Sequence, residues 1–399
     1  MRTAIIGGGA AGFFSAIELK ASVPDMEVTI FERGKKVLAK VEISGGGRCN
    51  CTNSFRDVTD LKQVYPRGAG LLKRLFKQFG PKDAYKWFED HGVPLVTQDD
   101  QCVFPKAQDS HVIIDCFMQE ARRLGIGIKY GYKIDATELE RIRKDYDYVI
   151  MTIGGLASGI DSSPLTILKD SVIPPVPSLF TFSITDKMLH DLMGVVVEDA
   201  TVCIPGTKFK AQGPLLITHW GMSGPAILKL SSHGARFMNE NGYKFPILVN
   251  WTGEHDMEMV KEYIKDIIQE NRQKLLSSYR PYGLQQRLWD YLITKLSKQC
   301  RWGELGKKDI NRLVDILFND RYDVAGRCAF KDEFVTCGGV CLDAVDKNTL
   351  ESKAIPNLYF AGEVLDIDGV TGGFNFQAAW TTGYAVAKAI QNAKCNNHN

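Results

Sequence analysis

The sequence lacks the features of several large protein classes. It has no uninterrupted apolar stretch near the roughly 18 residues of a membrane span, and no paired CxxC motifs of a zinc site among its 10 cysteines. The 49 Lys and Arg nearly balance the 47 Asp and Glu, for a formal net charge of +2. An overall attraction to nucleic acid or acidic lipid is therefore absent. We predict no metal site, no membrane partner and a small-molecule substrate, and the near-neutral charge disfavours nucleic acid.

Size and composition are those of a globular protein with more than one core. The chain has 399 residues, of which 44% are hydrophobic and 24% charged. Its apolar amino-terminal stretch resembles a secretion signal, but it contains Gly7, Gly8, Gly9 and Gly12 and leads directly into a second strand-like segment. The scattered cysteines are most simply free thiols of a reducing compartment. We predict a cytoplasmic protein.

The hydrophobic pattern changes along the chain. Residues 1–6 and 27–32 form buried strands around a helix at 11–21, which is the opening βαβ unit of a doubly wound sheet. Further strands are predicted at 127–134, 147–153 and 358–361, and helices at 71–91, 110–124 and 375–393. Short strands of period 2 fill 179–250 and resume at 326–342, whereas 254–321 has helical spacing. The middle of the chain is therefore predicted to be an antiparallel, barrel-like domain with a helical insertion.

A phosphate-binding motif lies between the first strand and the first helix. The residues Gly7 to Gly12 fit G-x-G-x-x-G, in which the first glycine permits a tight turn and the second allows close approach of a pyrophosphate. The third allows close packing of the helix on the sheet. Glu32 follows Gly12 by 20 residues, at the end of the second strand, where a carboxylate accepts hydrogen bonds from ribose hydroxyls. The spacing predicts a bound dinucleotide.

The far end of the chain distinguishes FAD from NAD. Gly362 and Glu363 follow a buried strand, and Gly372 and Gly373 open the last helix. A flavin needs donors near N1 and the C2 carbonyl, because reduction places negative charge there, and a helix amino terminus supplies them. A protein that binds only NAD does not need this return to the first sheet. We therefore predict FAD.

Five segments carry a resemblance that covers nearly the whole chain: IIGGGAAGFFSAIEL, EISGGGRCNCTNS, THWGMSGPAIL, FVTCGGVCLDAVDKNTLESK and LYFAGEVLDIDGVTGGFNFQAAWTTGYAVA. The sequence resembles the BaiN-like or YhiN-like bacterial flavoproteins, described as NAD(P)/FAD-dependent oxidoreductases or as the aminoacetone oxidase family. The resemblance implies an α/β fold with a Rossmann-type FAD domain like that of glutathione reductase, interrupted by a β-barrel-like domain. The predicted limits are 1–178 and 346–399 for the FAD domain, 179–253 and 322–345 for the barrel, and 254–321 for its helical insertion.

Carried over by position, the resemblance implies a set of FAD contacts near both ends of the chain. These predicted cofactor-binding residues are Gly7, Gly9, Ala10, Ala11, Gly12, Glu32, Arg33, Lys40, Ser44, Gly45, Gly46, Gly47, Arg48, Cys49, Asn50, Ile134, Gly154, Gly155, Gly362, Glu363, Gly372, Gly373, Phe374, Asn375 and Phe376. The segment at 156–170 departs from the family pattern, and it is where the floor of the substrate pocket or a nucleotide contact is expected.

Two weaker signals have alternative interpretations. Cys49 and Cys51 could form a redox disulfide beside the flavin, but a spacing of one residue strains such a ring, so ordinary thiols are favoured. His219 matches a family motif and is the candidate catalytic proton donor, with a purely structural role as the alternative.

The predicted function is that of an FAD-dependent oxidoreductase that passes hydride through flavin N5. No second G-x-G-x-x-G follows a strand, so NAD(P)H is expected only as a transient reductant, bound against the flavin ring. Two alternatives stay open: a flavin-dependent tRNA-modifying enzyme and a non-catalytic flavin redox sensor.

Overall fold

The computed structural model describes residues 1–156, 163–296, 298–328 and 335–396. Its strands are β1 (Arg2–Ile6), β2 (Glu27–Phe31), β3 (Thr52–Asn53), β4 (Leu95–Thr97), β5 (Cys102–Pro105), β6 (Gly127–Lys129), β7 (Tyr148–Met151), β8 (Val172–Ser178), β9 (Phe182–Ile184), β10 (Val196–Cys203), β11 (Lys210–Thr218), β12 (Gly221–Ser223), β13 (Phe245–Asn250), β14 (Asp320–Arg327), β15 (Val335–Val340) and β16 (Leu358–Phe360). Its helices are α1 (Ala10–Ser22), α2 (Ala39–Gly47), α3 (Ala69–Leu75), α4 (Pro81–Asp90), α5 (His111–Leu124), α6 (Ala136–Asp145), α7 (Lys187–His190), α8 (Pro225–His233), α9 (Ala235–Glu240), α10 (Met257–Glu270), α11 (Gln286–Thr294), α12 (Lys307–Phe318) and α13 (Phe374–Asn396).

The chain divides into two compact units. The first, here called the dinucleotide unit, comprises Met1–Pro177 and Val335–Asn399, and the second, here called the barrel unit, comprises Ser178–Phe334. In the part of the chain that the structure describes, no helix has the length and apolarity needed to cross a membrane.

The dinucleotide unit is built on a parallel sheet with the strand order β16-β7-β1-β2-β6. Strands β1, β2 and β7 are almost entirely buried, as expected for a parallel sheet covered on both faces. Helix α1 packs against α5 and α13, so the first and last helices of the chain share one core. The Rossmann-type fold predicted from the sequence is confirmed.

The barrel unit contains a closed antiparallel barrel with the strand order β10-β11-β12-β9-β14-β13. Helix α10 buries Val260, Ile264 and Ile267 at helical spacing, and α12 packs against it and against β13. The predicted barrel is therefore confirmed, and helices occupy the segment where helical periodicity was expected.

Some element limits predicted from the sequence are wrong. The helix expected over 71–91 is two helices, because Pro81 has no N–H to continue a helix and instead begins α4. The strand expected over 127–134 ends at Lys129. The strand pattern at 326–342 covers two strands, of which β14 belongs to the barrel whereas β15 pairs with β8. The return to the dinucleotide unit thus begins before the predicted residue 346.

Candidate cofactor and active site

The glycine loop that follows β1 is packed so closely that side chains cannot be added at two positions. Gly7 has φ +117°, and a Cβ there would lie 2.4 Å from the carbonyl oxygen of Thr152. A Cβ at Gly12 would lie 2.1 Å from the carbonyl oxygen of Gly7. The hydroxyl of Thr152 donates to that same Gly7 carbonyl at 2.8 Å. The motif therefore holds the start of α1 tightly against the ends of β1 and β7.

At Gly9 the loop is open. No described heavy atom lies within 4 Å of the position that a Cβ would take, and Gly9 precedes α1 without a capping side chain among the described residues. The N–H groups at the beginning of α1, near Ala10 and Ala11, have no intrahelical partners and carry the positive end of the helix dipole. This open helix terminus suits the pyrophosphate of a dinucleotide.

Glu32 lies at the end of β2 and is bound to the glycine loop. One carboxylate oxygen accepts the N–H of Gly8 at 2.9 Å, and the other accepts the N–H of Gly34 at 2.6 Å. Each oxygen has a second lone pair, which leaves acceptor capacity for ribose hydroxyls. Glu32 therefore orients the glycine loop and can still accept hydrogen bonds from the hydroxyls of a ribose.

Glu363 joins segments from four parts of the chain. It accepts the Lys40 ammonium at 2.8 Å through one oxygen and the N–H of Thr336 at 2.8 Å through the other. A Cβ at Gly155 would lie 2.6 Å from its carboxylate, and a Cβ at Gly362 would lie 2.7 Å from the Cβ of Ala11. Lys40, Gly155, Gly362 and Glu363 are thus brought to the start of α1.

The first turn of α13 is held by the segment at residues 50–53. Gly373 has φ +86°, and a Cβ there would lie 2.2 Å from the carbonyl oxygen of Thr52. In the amide orientation that satisfies its neighbours, Asn50 donates to the Thr52 carbonyl at 2.9 Å and accepts from the Gly373 N–H at 3.2 Å. The Thr52 hydroxyl donates to Gln377 at 2.5 Å. Two predicted contact regions, which are far apart in sequence, therefore form one surface.

The side chains of the Gly372–Phe376 turn make contacts within the protein. Asn375 accepts from the N–H of Gly369 at 2.8 Å and donates to its carbonyl at 3.0 Å. The ring of Phe374 packs on Phe55 at 5.1 Å between centroids, and Phe376 stacks on Trp380 at 5.6 Å. Any contact of this turn with a flavin would therefore come from its backbone N–H groups.

The segment from Ser44 to Asn50 bends sharply at its glycines. Gly45, Gly46 and Gly47 have φ of +56°, +69° and +83°, and no described heavy atom lies within 4 Å of the Cβ positions of the last two. The Ser44 carbonyl accepts the Cys49 N–H at 3.0 Å. Arg48 lies over the Phe104 ring, 4.3 Å from its centroid. At Gly46 and Gly47 the backbone of this bend is therefore accessible to a ligand, with no described side chain in between.

Cys49 and Cys51 are free, fully buried thiols. Burial raises the pKa of the Cys49 thiol to about 12 and the pKa of Cys51 well above its ordinary value. The Cys51 thiol donates to the Val103 carbonyl at 3.3 Å. Both groups are thus neutral at physiological pH, which is the state of ordinary packing cysteines.

The residues described above, namely the Gly7–Gly12 loop, Glu32, Glu363 and the segments at 44–53 and 372–376, are here called the cofactor cradle. Four other predicted site residues make fewer contacts with it. Arg33 is exposed, Ile134 is buried in the hydrophobic core, and Gly154 has φ +77° with no described heavy atom within 4 Å of its Cβ position. His219 belongs to the barrel unit, where it is exposed and packs edge-on against Trp220 at 4.3 Å. Its catalytic role stays a prediction. Of the unusual segment at 156–170, residues 157–162 lie outside the described part of the chain.

Sequence reasoning missed several residues that build the cradle. Thr152, Thr336, Thr52 and Gln377 hold its segments together, and an ion pair between Arg67 and Asp368 lies behind the α13 turn. Thr152 could have been found, because it ends a buried parallel strand beside the glycine loop, where neighbouring strand ends meet. The others depend on pairings between distant segments.

The fold and this cradle define a Rossmann-type dinucleotide-binding protein. A family model described as the HI0933-like protein Rossmann domain matches residues 1–389, and the chain belongs to this family. The predicted resemblance is confirmed, the cofactor is FAD, and the chain is an FAD-dependent oxidoreductase.

Three similar proteins illustrate its relations. The 3-dehydro-bile acid delta(4,6)-reductase of Clostridium scindens is 28% identical, over 97% of this chain and 98% of that protein. The ribosomal RNA dihydrouridine synthase of Haemophilus influenzae is 29% identical, over 97% of each chain. Among solved structures, the 3-ketosteroid delta1-dehydrogenase of Sterolibacterium denitrificans, in complex with 1,4-androstadiene-3,17-dione, is 9% identical, with a TM-score of 0.45 over 98% of this chain and 99% of that chain.

Proposed function

We propose that the protein reduces a carbon–carbon double bond conjugated to a carbonyl group, with hydride delivered from N5 of the reduced FAD. The names of two relatives support this reaction class: a delta(4,6)-reductase of a 3-dehydro-bile acid and a dihydrouridine synthase. Both names describe the saturation of a double bond near a carbonyl. The two substrates differ greatly in size, so the shared chemistry is the stronger inference.

The observation that carries the proposal is that α1 and α13 pack together in one unit, each with an amino terminus suited to one part of FAD. The open amino terminus of α1 at Gly9 would hold the pyrophosphate, with Glu32 on the adenosine ribose. The Gly373 N–H is taken by Asn50, so the N–H groups that follow it at the amino terminus of α13 would face the pyrimidine edge of the flavin and stabilise the negative charge of its reduced form. Glu363, held by Lys40, would bind the ribityl chain.

The electron balance requires a donor and a proton. NAD(P)H is the proposed reductant, bound transiently, since the sequence contains no second G-x-G-x-x-G motif that follows a strand. The hydride adds to the carbon β to the carbonyl, and a proton adds to the α carbon. His219 is the candidate to supply that proton, as an exposed imidazole.

We propose a small molecule as the substrate, because the formal net charge of +2 offers no general attraction to RNA. A uridine in ribosomal RNA is the second candidate, favoured by the relative from Haemophilus influenzae. Binding to RNA would require a local basic face and would weaken as salt is raised.

The test is anaerobic mixing of the FAD-loaded protein with NADH and NADPH separately, followed by loss of the oxidised flavin absorbance. The reduced protein is then mixed with a 3-keto steroid that has a conjugated double bond, or with unmodified ribosomal RNA. Rapid reoxidation by the steroid, with two hydrogens gained by the product, is the expected result. Reoxidation by RNA alone supports the second candidate. Reduction by neither nucleotide, or turnover with neither acceptor, contradicts the proposed reaction and favours a redox sensor.

A further inference from the structure

A buried ion pair lies next to the turn at Gly372–Phe376 that leads into α13, here called the α13 turn. Arg67 donates from two nitrogens to the two carboxylate oxygens of Asp368. The Asp368 side chain is fully buried, and the Arg67 side chain is 16% exposed. A guanidinium and a carboxylate joined by two bonds fix both their separation and their relative orientation.

The backbone around the pair is paired as well. Residues 64–68, here called the brace segment, lie antiparallel to residues 367–370, with a bridge between Arg67 and Asp368. The N–H of Val370 donates to the carbonyl of Val64 at 2.8 Å. A Cβ at Gly68 would lie 2.7 Å from the side chain of Ile367, which shows how closely the two segments approach.

The brace segment is also hydrogen-bonded to α13, the helix that is proposed to face the flavin. The Tyr65 hydroxyl donates to the carbonyl of Phe374, the first residue of α13, at 2.8 Å. Asn375 is bonded to Gly369, the residue that follows Asp368. A shift of Asp368 would therefore move the turn that ends at Gly373.

We propose that Arg67 and Asp368 are positioning residues, which hold the amino-terminal N–H groups of α13 where they stabilise the reduced form of FAD. This inference rests on the proposed contact between α13 and the flavin. The pair has no net charge, so its effect on the cofactor arises from geometry. If the turn moves, the donors no longer match the charge that reduction places on the pyrimidine edge.

The variant that tests this is Arg67→Lys. Lysine keeps the positive charge but has no rigid fork, so it cannot make the same two-point contact. We expect a tenfold loss in the preference of the protein for reduced over oxidised FAD. For a two-electron couple, that loss lowers the midpoint potential by about 30 mV. The measurement is dye equilibration of the FAD-loaded protein under anaerobic conditions, which needs neither NAD(P)H nor a substrate.

Two further variants separate positioning from folding. The double variant Arg67→Gln with Asp368→Asn removes both charges together, so no uncompensated charge is left buried. The control is Arg123→Lys, because Arg123 also donates from two nitrogens to the two carboxylate oxygens of an acid, Glu120, on the same helix, α5. We expect a lowered potential in the double variant and an unchanged potential in the control.

Gly373→Ala tests the underlying flavin contact, since its Cβ would meet the Thr52 carbonyl. A potential shifted by Gly373→Ala but unchanged in both Arg67 variants would overturn the positioning role and leave the flavin contact intact. An unchanged potential in all of these variants would overturn both. Arg67 variants that lower only the melting temperature would show a structural ion pair and would equally contradict the inference.

Discussion

A methyl group at Gly9 tests where the pyrophosphate binds. Gly9 has φ −92° and ψ −168°, a backbone conformation that alanine adopts without strain. No described heavy atom lies within 4 Å of the Cβ position. The protein without FAD therefore has room for Gly9→Ala, and we expect its melting temperature to stay close to that of the wild type.

The effect on FAD should be large. A methyl group there occupies the space through which a phosphate approaches the first N–H groups of α1. The loss of one hydrogen bond to a charged group costs about 1.5–3 kcal/mol, which corresponds to a roughly ten- to hundredfold weaker affinity. FAD affinity is measured by titration of the apoprotein, with flavin fluorescence as the signal.

Two other glycines make the comparison specific. Gly306 precedes α12 in the barrel unit with φ −80° and ψ 169°, so Gly306→Ala is the matched control and should keep normal FAD affinity. Gly12→Ala should instead destabilise the apoprotein, by about 1–3 kcal/mol, because its Cβ overlaps the Gly7 carbonyl. Normal FAD affinity in a folded Gly9→Ala protein would refute the placement of the pyrophosphate at α1.

Three further outcomes are expected. Glu32→Ala should reduce FAD retention in the purified protein and lower the free energy of unfolding by about 1–2 kcal/mol, since two backbone N–H bonds are lost; unaltered FAD content would contradict the ribose role. Asp320→Asn should destabilise the barrel unit by about 3–5 kcal/mol in urea unfolding, because it leaves Lys295 without its buried partner; an unchanged midpoint would refute this. Burial raises the pKa of Glu18 despite the hydrogen bond from Trp87, so its contribution to stability is lost as the pH rises above about 4.5. Glu18→Gln should therefore gain stability relative to the wild type as the pH rises from 4 to 7. The measurement is thermal unfolding of both proteins across that range, and a relative loss of stability would contradict the prediction.

Local patterns in the sequence were sufficient to predict the glycine loop that follows β1. The roles of Gly7 and Gly12 depend on neighbours a few residues away and on a strand and helix that flank them, so a spacing motif captures them. The break before α4 was also readable from Pro81, but aromatic residues at helical spacing on both sides suggested one helix. Proline decides the structure here, because it has no N–H to continue a helix and periodicity alone does not reveal that break.

Contacts between segments that are far apart in sequence cannot be predicted from such local patterns. Thr336 meets Glu363 only because β15 returns to the dinucleotide unit, and Arg67 meets Asp368 across 301 residues. Neither pair has a spacing that a single sequence would reveal. The same holds for the burial of Cys49, whose raised pKa follows from the core around it and not from its neighbours in the chain.

The convergence of the chain ends links FAD binding to folding. Lys40 and Glu363 are 323 residues apart, and Thr52 and Gln377 are 325 apart, with the whole barrel unit between them in sequence. The entropy needed to close such a loop grows only slowly with its length, by about 0.6 kcal/mol for each doubling, so a large insertion is tolerated. A cofactor that binds only the assembled cradle adds to its stability, by about 2.7 kcal/mol when free FAD is a hundredfold above its dissociation constant. Because FAD is proposed to touch both α1 and α13, its removal should weaken the dinucleotide unit where those two helices begin.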